Sequence, residues 1–188
     1  MVLRILIGFV VLVVIVLAVK QSNKRAPASA ARNSAPAAQK IGKTFTSAEN
    51  GYSHRIPQGW ETKTAGASKE VTIAAPESSG LSSNMVTTVE PYGGTLSAYV
   101  DEKIQPLKKS AVKAKVKRAD FVTDAKTGGY KVKLQNKTND VDVGQTMYFF
   151  DGTGDKKIVV TCTAPAELSA QLEPLFDGCM KTFTLSPP

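Results

Sequence analysis

The sequence is poor in the residues from which many catalytic and metal sites are built. Its 188 residues include one histidine, one tryptophan and two cysteines. Two cysteines are too few for a disulfide-dense small domain, and neither their number nor their spacing fits a zinc site. The glycine-rich phosphate-binding motifs and the G-x-S-x-G motif of α/β-hydrolases are also missing. We therefore expect no catalytic residue, no metal ligand and no cofactor, and we expect that the protein is not an enzyme.

Acidic residues are missing from the first 43 positions, although the whole chain contains 16. The same stretch holds seven of the 24 basic residues, which leaves 17 basic against 16 acidic side chains in residues 44–188. The net charge of +8 therefore belongs to the N-terminal region and not to a basic globular domain. No nucleic acid partner is expected.

Long apolar runs are missing too, with the exception of residues 5–19, which contain no charged side chain. The length of this run lies between that of a signal-peptide core and that of a full transmembrane helix. No clear A-x-A cleavage site follows the run closely. We therefore expect residues 1–20 to form a single-pass membrane anchor, with a cleaved signal peptide as the alternative.

Residues 21–43 are rich in alanine, proline, serine and basic side chains. This composition predicts a flexible linker, which as a random coil would span roughly 25 to 30 Å. Basic residues are more numerous after the apolar run than before it, so the positive-inside rule places the C-terminal domain in the cytoplasm. The membrane is the predicted partner of this N-terminal region.

Residues 44–188 alternate between short strands and turns and include two amphipathic helical stretches. Asn50-Gly51 predicts a tight hairpin turn, and Gly128-Gly129 predicts another. Thr95 is a candidate N-cap for the first helix, and Pro165 stands in the first turn of the second. The pattern predicts an α+β domain in which an antiparallel sheet is flanked by helices.

The order and spacing of several short motifs resemble those of the PsbP-like superfamily, over about residues 44–185. These motifs are Ile56-Pro57-x-Gly59-Trp60, Leu96-Ser97-Ala98-Tyr99, Gly129-Tyr130, and Val160 to Pro165 followed by Phe176 and Phe183. That group includes extrinsic photosystem proteins, a Ran-binding nuclear import factor and bacterial DcrB-like proteins. The resemblance implies a PsbP-like sandwich that acts as a non-catalytic adapter, assembly factor or chaperone. It also implies an extracytoplasmic domain, in disagreement with the flanking charges.

Lysine alternates with apolar residues in two neighbouring stretches of the domain. Lys113, Lys115 and Lys117 alternate in the first stretch, and Lys131 and Lys133 alternate in the second. If the two strands pair across the intervening turn, all five lysines share one face of the sheet. We interpret this face as the partner-binding surface of a membrane-tethered adapter that binds a protein or an anionic surface. A solvated outer face is the alternative interpretation.

Two further pairs of residues are candidates for a role. Cys162 and Cys179 are expected in the interior, on the last strand and the last helix, as either a disulfide or two free thiols. His54 and Trp60 lie close to the Pro-x-Gly-Trp turn and are the basis of an alternative function, a small-ligand binder or enzyme with a pocket beside them. A chaperone for hydrophobic segments is the third candidate, and it would expose an apolar patch.

Overall fold

A computed structural model describes residues 40–64, 71–76, 82–109, 116–138 and 141–186. The strands are β1 (Ile41–Ser47), β2 (Tyr52–Pro57), β3 (Glu61–Thr64), β4 (Val71–Ala74), β5 (Asn84–Pro91), β6 (Lys117–Val122), β7 (Gly128–Thr138), β8 (Val141–Asp151), β9 (Lys156–Pro165) and β10 (Thr184–Leu185). The helices are α1 (Leu96–Lys109) and α2 (Ala166–Lys181). No helix within these ranges is long and apolar enough to cross a membrane. The predicted anchor and most of the predicted linker lie outside the described residues.

The strands form two antiparallel sheets, and this confirms the predicted α+β class. The large sheet has seven strands in the order β3-β4-β5-β9-β8-β7-β6, and the small sheet has three in the order β1-β2-β10. One hydrophobic core joins α2 to both sheets, and a second core lies between α1 and strands β7, β8 and β9. The large sheet therefore carries α1 on one face and α2, with the small sheet, on the other.

The β1–β2 hairpin has the tight turn that the sequence predicts. Gly51 has a φ of 66°, and its N–H donates to the carbonyl oxygen of Ser47 at 2.9 Å. A positive φ is accessible to glycine without strain, which explains its place in the turn. Regular structure begins at Ile41, three residues before the predicted boundary at residue 44.

The sequence-based prediction of a turn at Gly128-Gly129 is wrong. Both glycines lie in β7, where Gly129 pairs with Phe121, and the turn is formed by residues 123–127. The Thr123 hydroxyl closes this turn by accepting the N–H of Thr127 at 3.0 Å. Glycine is required at position 129 by close packing and not by a turn. An added Cβ would lie 2.8 Å from the ring of Phe150 and even closer to the neighbouring backbone.

Helix α1 begins where Thr95 predicts it. The hydroxyl of Thr95 accepts the N–H of Ala98 at 3.2 Å, as an N-cap does. The helix continues for three residues beyond Pro106. Packing holds it on the sheet, and the hydroxyl of the buried Tyr99 donates to Glu90 of β5 at 3.1 Å.

Helix α2 starts directly after Pro165 and runs through Pro174 to Lys181. Its buried residues are Leu172, Leu175, Phe176, Cys179 and Met180. Leu168, in the first turn of the helix, is 37% exposed. Phe183 follows the helix and is fully buried, where it stacks on the ring of Phe150 at a centroid distance of 4.1 Å.

Candidate functional site

Three of the five predicted partner-binding lysines lie on one face of the large sheet. Lys117 of β6 pairs directly with Lys133 of β7, and Lys131 is two residues before Lys133 in the same strand. Side chains at these positions project from the same face, which is the face covered by α2. Lys113 and Lys115, the other members of the predicted set, lie outside the described residues.

Lys131 is held in the interface between the sheet and α2. Its Nζ is 2.7 Å from Glu173 Oε1 and 2.6 Å from Asp177 Oδ1, and its side chain is only 13% exposed. Burial lowers the pKa of Lys131, but the hydrogen bonds and charges of the two carboxylates outweigh it and raise the pKa overall. The hydroxyl of Tyr148 donates to Asp177 at 2.7 Å, and burial raises the pKa of Tyr148. Lys131 therefore positions α2 and is little exposed to a partner.

The other two lysines are more accessible. Lys133 donates to Glu173 Oε2 at 2.5 Å, yet its side chain is 46% exposed. Burial raises the pKa of Glu173, but its contacts with Lys131 and Lys133 prevail and lower it. Lys117 is exposed. The lysine pair, as we call Lys117 and Lys133, is the part of the predicted face that a partner can reach.

The carboxylates of α2 were missed at the sequence level. Glu173 and Asp177 are four residues apart, so they project from the same side of the helix. Two like charges at this spacing are unfavourable in an isolated helix, which is a signal that a cation lies nearby in the fold. The cation is Lys131, 42 and 46 residues away in the sequence. Local patterns could not pair residues over this separation.

The single histidine is part of the core. His54 is 1% exposed, its ring stacks on Tyr52 at 6.1 Å, and it lies 5.7 Å from the ring of Phe45. Its Nδ1 is 3.0 Å from the carbonyl oxygen of Arg55, while Nε2 has no hydrogen-bond partner. Burial lowers the pKa of His54, and the bond to Arg55 opposes this only in part. Within the described ranges, no three His, Cys, Asp or Glu side chains are grouped as metal ligands would be.

Trp60 borders a hollow that His54 does not line. The indole of Trp60 is 4% exposed and packs edge-on against Phe176 at a centroid distance of 6.0 Å. An open hollow of about 360 Å³ lies beside it and is bordered by the 57–60 turn together with Gly42, Lys43 and Glu61. His54 is not among the residues of this hollow. The two side chains therefore do not share this hollow, and a ligand-binding or catalytic role beside them stays a prediction.

Both cysteines are free thiols in the structure and lie in the same hydrophobic core. Burial raises the pKa of Cys162 strongly, and the nearby Cys179 adds to the effect. Burial also raises the pKa of Cys179 to about 12. Neutral, buried thiols of this kind are poor nucleophiles. A disulfide between them stays a prediction.

Exposed large hydrophobic side chains are few in the part of the chain that the structure describes. Val122 is 55% exposed, Val141 43% and Leu168 37%. They belong to three different elements, β6, β8 and α2. Scattered apolar side chains are normal on a protein surface and do not by themselves mark a binding site for hydrophobic segments.

The two sheets and the two flanking helices define a PsbP-like fold. The chain is similar in structure to cyanobacterial PsbP (CyanoP) from Synechocystis sp. PCC 6803, with a TM-score of 0.57 and 12% identity. The match covers 76% of this chain and 91% of that one. This agreement confirms the resemblance that the sequence motifs indicated at the level of the fold.

Two further solved structures have the same architecture. LpqN of Mycobacterium tuberculosis, described as involved in cell envelope biogenesis, matches with a TM-score of 0.57 and 10% identity, over 72% of this chain and 83% of that one. The Ran-binding protein Mog1p of Saccharomyces cerevisiae matches with a TM-score of 0.54 and 9% identity, over 78% and 96%. No family model and no curated protein matches the sequence. At these identities the likeness concerns the fold alone.

Proposed function

We propose that this protein is a membrane-tethered, non-catalytic adapter or assembly factor that binds an acidic protein surface through the lysine pair. The observation that carries the proposal is the pairing of Lys117 with Lys133 at the β6 edge of the large sheet. Like charges directly opposite each other destabilise a sheet. A carboxylate from a partner would relieve this repulsion, so the pair favours binding of an anionic group.

The geometry around the pair supports a protein partner. Glu173 is already shared between Lys131 and Lys133, and Lys117 forms no ion pair with another described residue. The β6 edge strand also presents backbone groups that no described strand pairs on its outer side. A protein that shares this fold, Mog1p, is named for binding another protein, Ran.

The membrane part of the proposal comes from the sequence. Residues 5–19 are uncharged and apolar, and residues 20–39 would join them to the folded domain. We place the domain outside the cytoplasm, as the PsbP-like resemblance implies and the flanking charges do not. Because both native cysteines are buried, the exposed Lys126 can be replaced by cysteine as a reporter. A membrane-impermeant maleimide should label K126C in intact cells, and labelling only after lysis would place the domain in the cytoplasm.

Charge reversal at the lysine pair tests the binding proposal. In the full chain, we expect Lys117→Glu, and more strongly Lys117→Glu with Lys133→Gln, to lose the proteins that co-purify specifically with the wild type. Lys108→Glu is the matched control, because this exposed lysine lies on α1 at the opposite face of the sheet. Circular dichroism establishes that each variant is folded. An unchanged set of partners in the folded double variant would contradict the proposal.

A further inference from the structure

The folded domain joins the N-terminal part of the chain at one defined place. The carbonyl oxygen of Lys40 accepts the N–H of Gln58 at 2.7 Å, so the first described residue is fixed beside the turn between β2 and β3. At the far end of the β1–β2 hairpin, Ser186 donates to the carbonyl oxygen of Gly51 at 2.8 Å. The six residues of β2 separate the Lys40 end of the hairpin from its Gly51 end by about 17 Å. Lys40, where the described part of the chain begins, therefore lies beside the 57–60 turn.

Cations surround this place. Lys40 and Lys43 are exposed. The guanidinium of Arg55 donates to the carbonyl oxygens of Gly42 at 2.8 Å and Ile41 at 3.2 Å, which fixes a third positive charge beside the first strand. Glu61 is the acidic residue that borders the neighbouring hollow. We call Lys40, Lys43, Arg55 and the 57–60 turn the root surface, and its three cations exceed its one bordering carboxylate.

The backbone at the root surface is accessible from outside. Gln58 and Gly59 are exposed at the tip of the turn, and Gly59 has a φ of 81°. The hollow of about 360 Å³ beside the turn is open and shallow. A broad surface can approach such a turn, whereas a small molecule would not be enclosed by it.

We propose that the root surface docks on anionic headgroups in the domain-facing leaflet of the bilayer that holds the N-terminal anchor. This inference rests on the tether of the proposed function. The predicted linker would span roughly 25 to 30 Å as a random coil, which would allow the surface beside Lys40 to reach the bilayer. Residues 21–39 of the predicted linker add three more basic side chains and no acidic one, which matches an anionic surface. Reversal of Lys43 changes two units of charge and is expected to weaken the docking roughly 30-fold.

The only tryptophan of the chain reports on this docking. Trp60 ends the 57–60 turn and borders the hollow. The full chain is reconstituted in vesicles of phosphatidylcholine, with or without phosphatidylserine, in which some phosphatidylcholine carries a nitroxide quencher on its headgroup. We expect stronger quenching of Trp60 when phosphatidylserine is present, and we expect high salt to remove the difference because it screens exposed charges.

Matched variants separate this proposal from the lysine pair. Lys43→Glu should remove most of the quenching that depends on phosphatidylserine, because it weakens the docking. Lys117→Glu should leave this quenching unchanged. Lys117 lies on the edge strand β6, whereas Thr62, two residues after Trp60, lies on the opposite edge strand β3. Directly paired residues across the seven strands connect the two positions, which are about 29 Å apart. Equal quenching with and without phosphatidylserine, or an unchanged response of Lys43→Glu, would overturn the docking. A chain that does not float with the vesicles would overturn the tether and the docking together.

Discussion

Replacement of Lys131 by methionine should destabilise the domain by about 2 kcal/mol. The substitution keeps a long apolar side chain but removes the cation between Glu173 and Asp177, which lie within 2.7 Å of it. Breaking a fully buried ion pair costs about 3–5 kcal/mol, whereas an exposed pair contributes about 0–1 kcal/mol. The side chains here are 13%, 23% and 30% exposed, so the cost lies between these limits.

The measurement is urea denaturation followed by the fluorescence of the single tryptophan. In a thermal melt followed by the same fluorescence, a loss of about 2 kcal/mol would lower the melting temperature by roughly 6 °C for a domain of this size. Lys133→Met is the matched control, because Lys133 is 46% exposed and contacts Glu173 alone among the two carboxylates. We expect that control to cost about 0.5 kcal/mol.

The pH dependence gives a second, independent check. Glu173 has a lowered pKa in the folded protein, so its ion pairs stabilise the fold above its ordinary value of 4.5 and are lost as the pH falls through the folded pKa. The stability difference between wild type and Lys131→Met should therefore be largest near pH 7 and should shrink below about pH 4.5. A difference below about 0.5 kcal/mol at pH 7, or one that does not change with pH, would refute the assigned role of Lys131.

Three further perturbations test other parts of the fold. Gly129→Ala should destabilise by about 2 kcal/mol or more because its Cβ would collide with the neighbouring strand, while Gly128→Ala, with nothing within 4 Å, should be nearly neutral in the same denaturation assay. Burial lowers the pKa of His54, so the folded state binds fewer protons than the unfolded state. The stability of the wild type should therefore fall as the pH drops below about 6.5. His54→Phe should flatten this decline between about pH 7 and 5.5. Cys162 and Cys179 should react slowly with a thiol reagent in the native protein and give two thiols on unfolding, whereas no thiol on unfolding would reveal a disulfide.

Features that depend on neighbouring residues could be predicted from the sequence. The Asn50-Gly51 turn and the Thr95 cap form because a few adjacent residues satisfy their hydrogen bonds. The alternation of Lys131 and Lys133 with apolar residues correctly placed both lysines on one face, since side chains alternate along any strand. These parts of the fold required no knowledge of distant contacts.

Features that depend on distant contacts could not be read in this way. Gly129 looks like a turn residue, but the approach of the neighbouring strand is what requires it. Pro174 signals the end of a helix, yet α2 continues because Leu172 and Phe176, on either side of it, are buried in the core. The lysine face looked uniformly positive because the sequence alone could not show that α2 places Glu173 upon it.

The pairing of β10 with β2 determines when this domain can fold during synthesis. Ser53 and Thr184 share a hydrogen bond at 3.0 Å although they are 131 residues apart in the chain. At about 5 to 20 residues per second, a ribosome needs roughly 7 to 26 s to make that intervening segment. The β1–β2 hairpin has to wait this long for its third strand and for α2, which covers its apolar side. Until residues 184–185 of a nascent chain have been made, the β2 edge of the hairpin stays without this partner strand and the core that α2 shares with the small sheet stays incomplete.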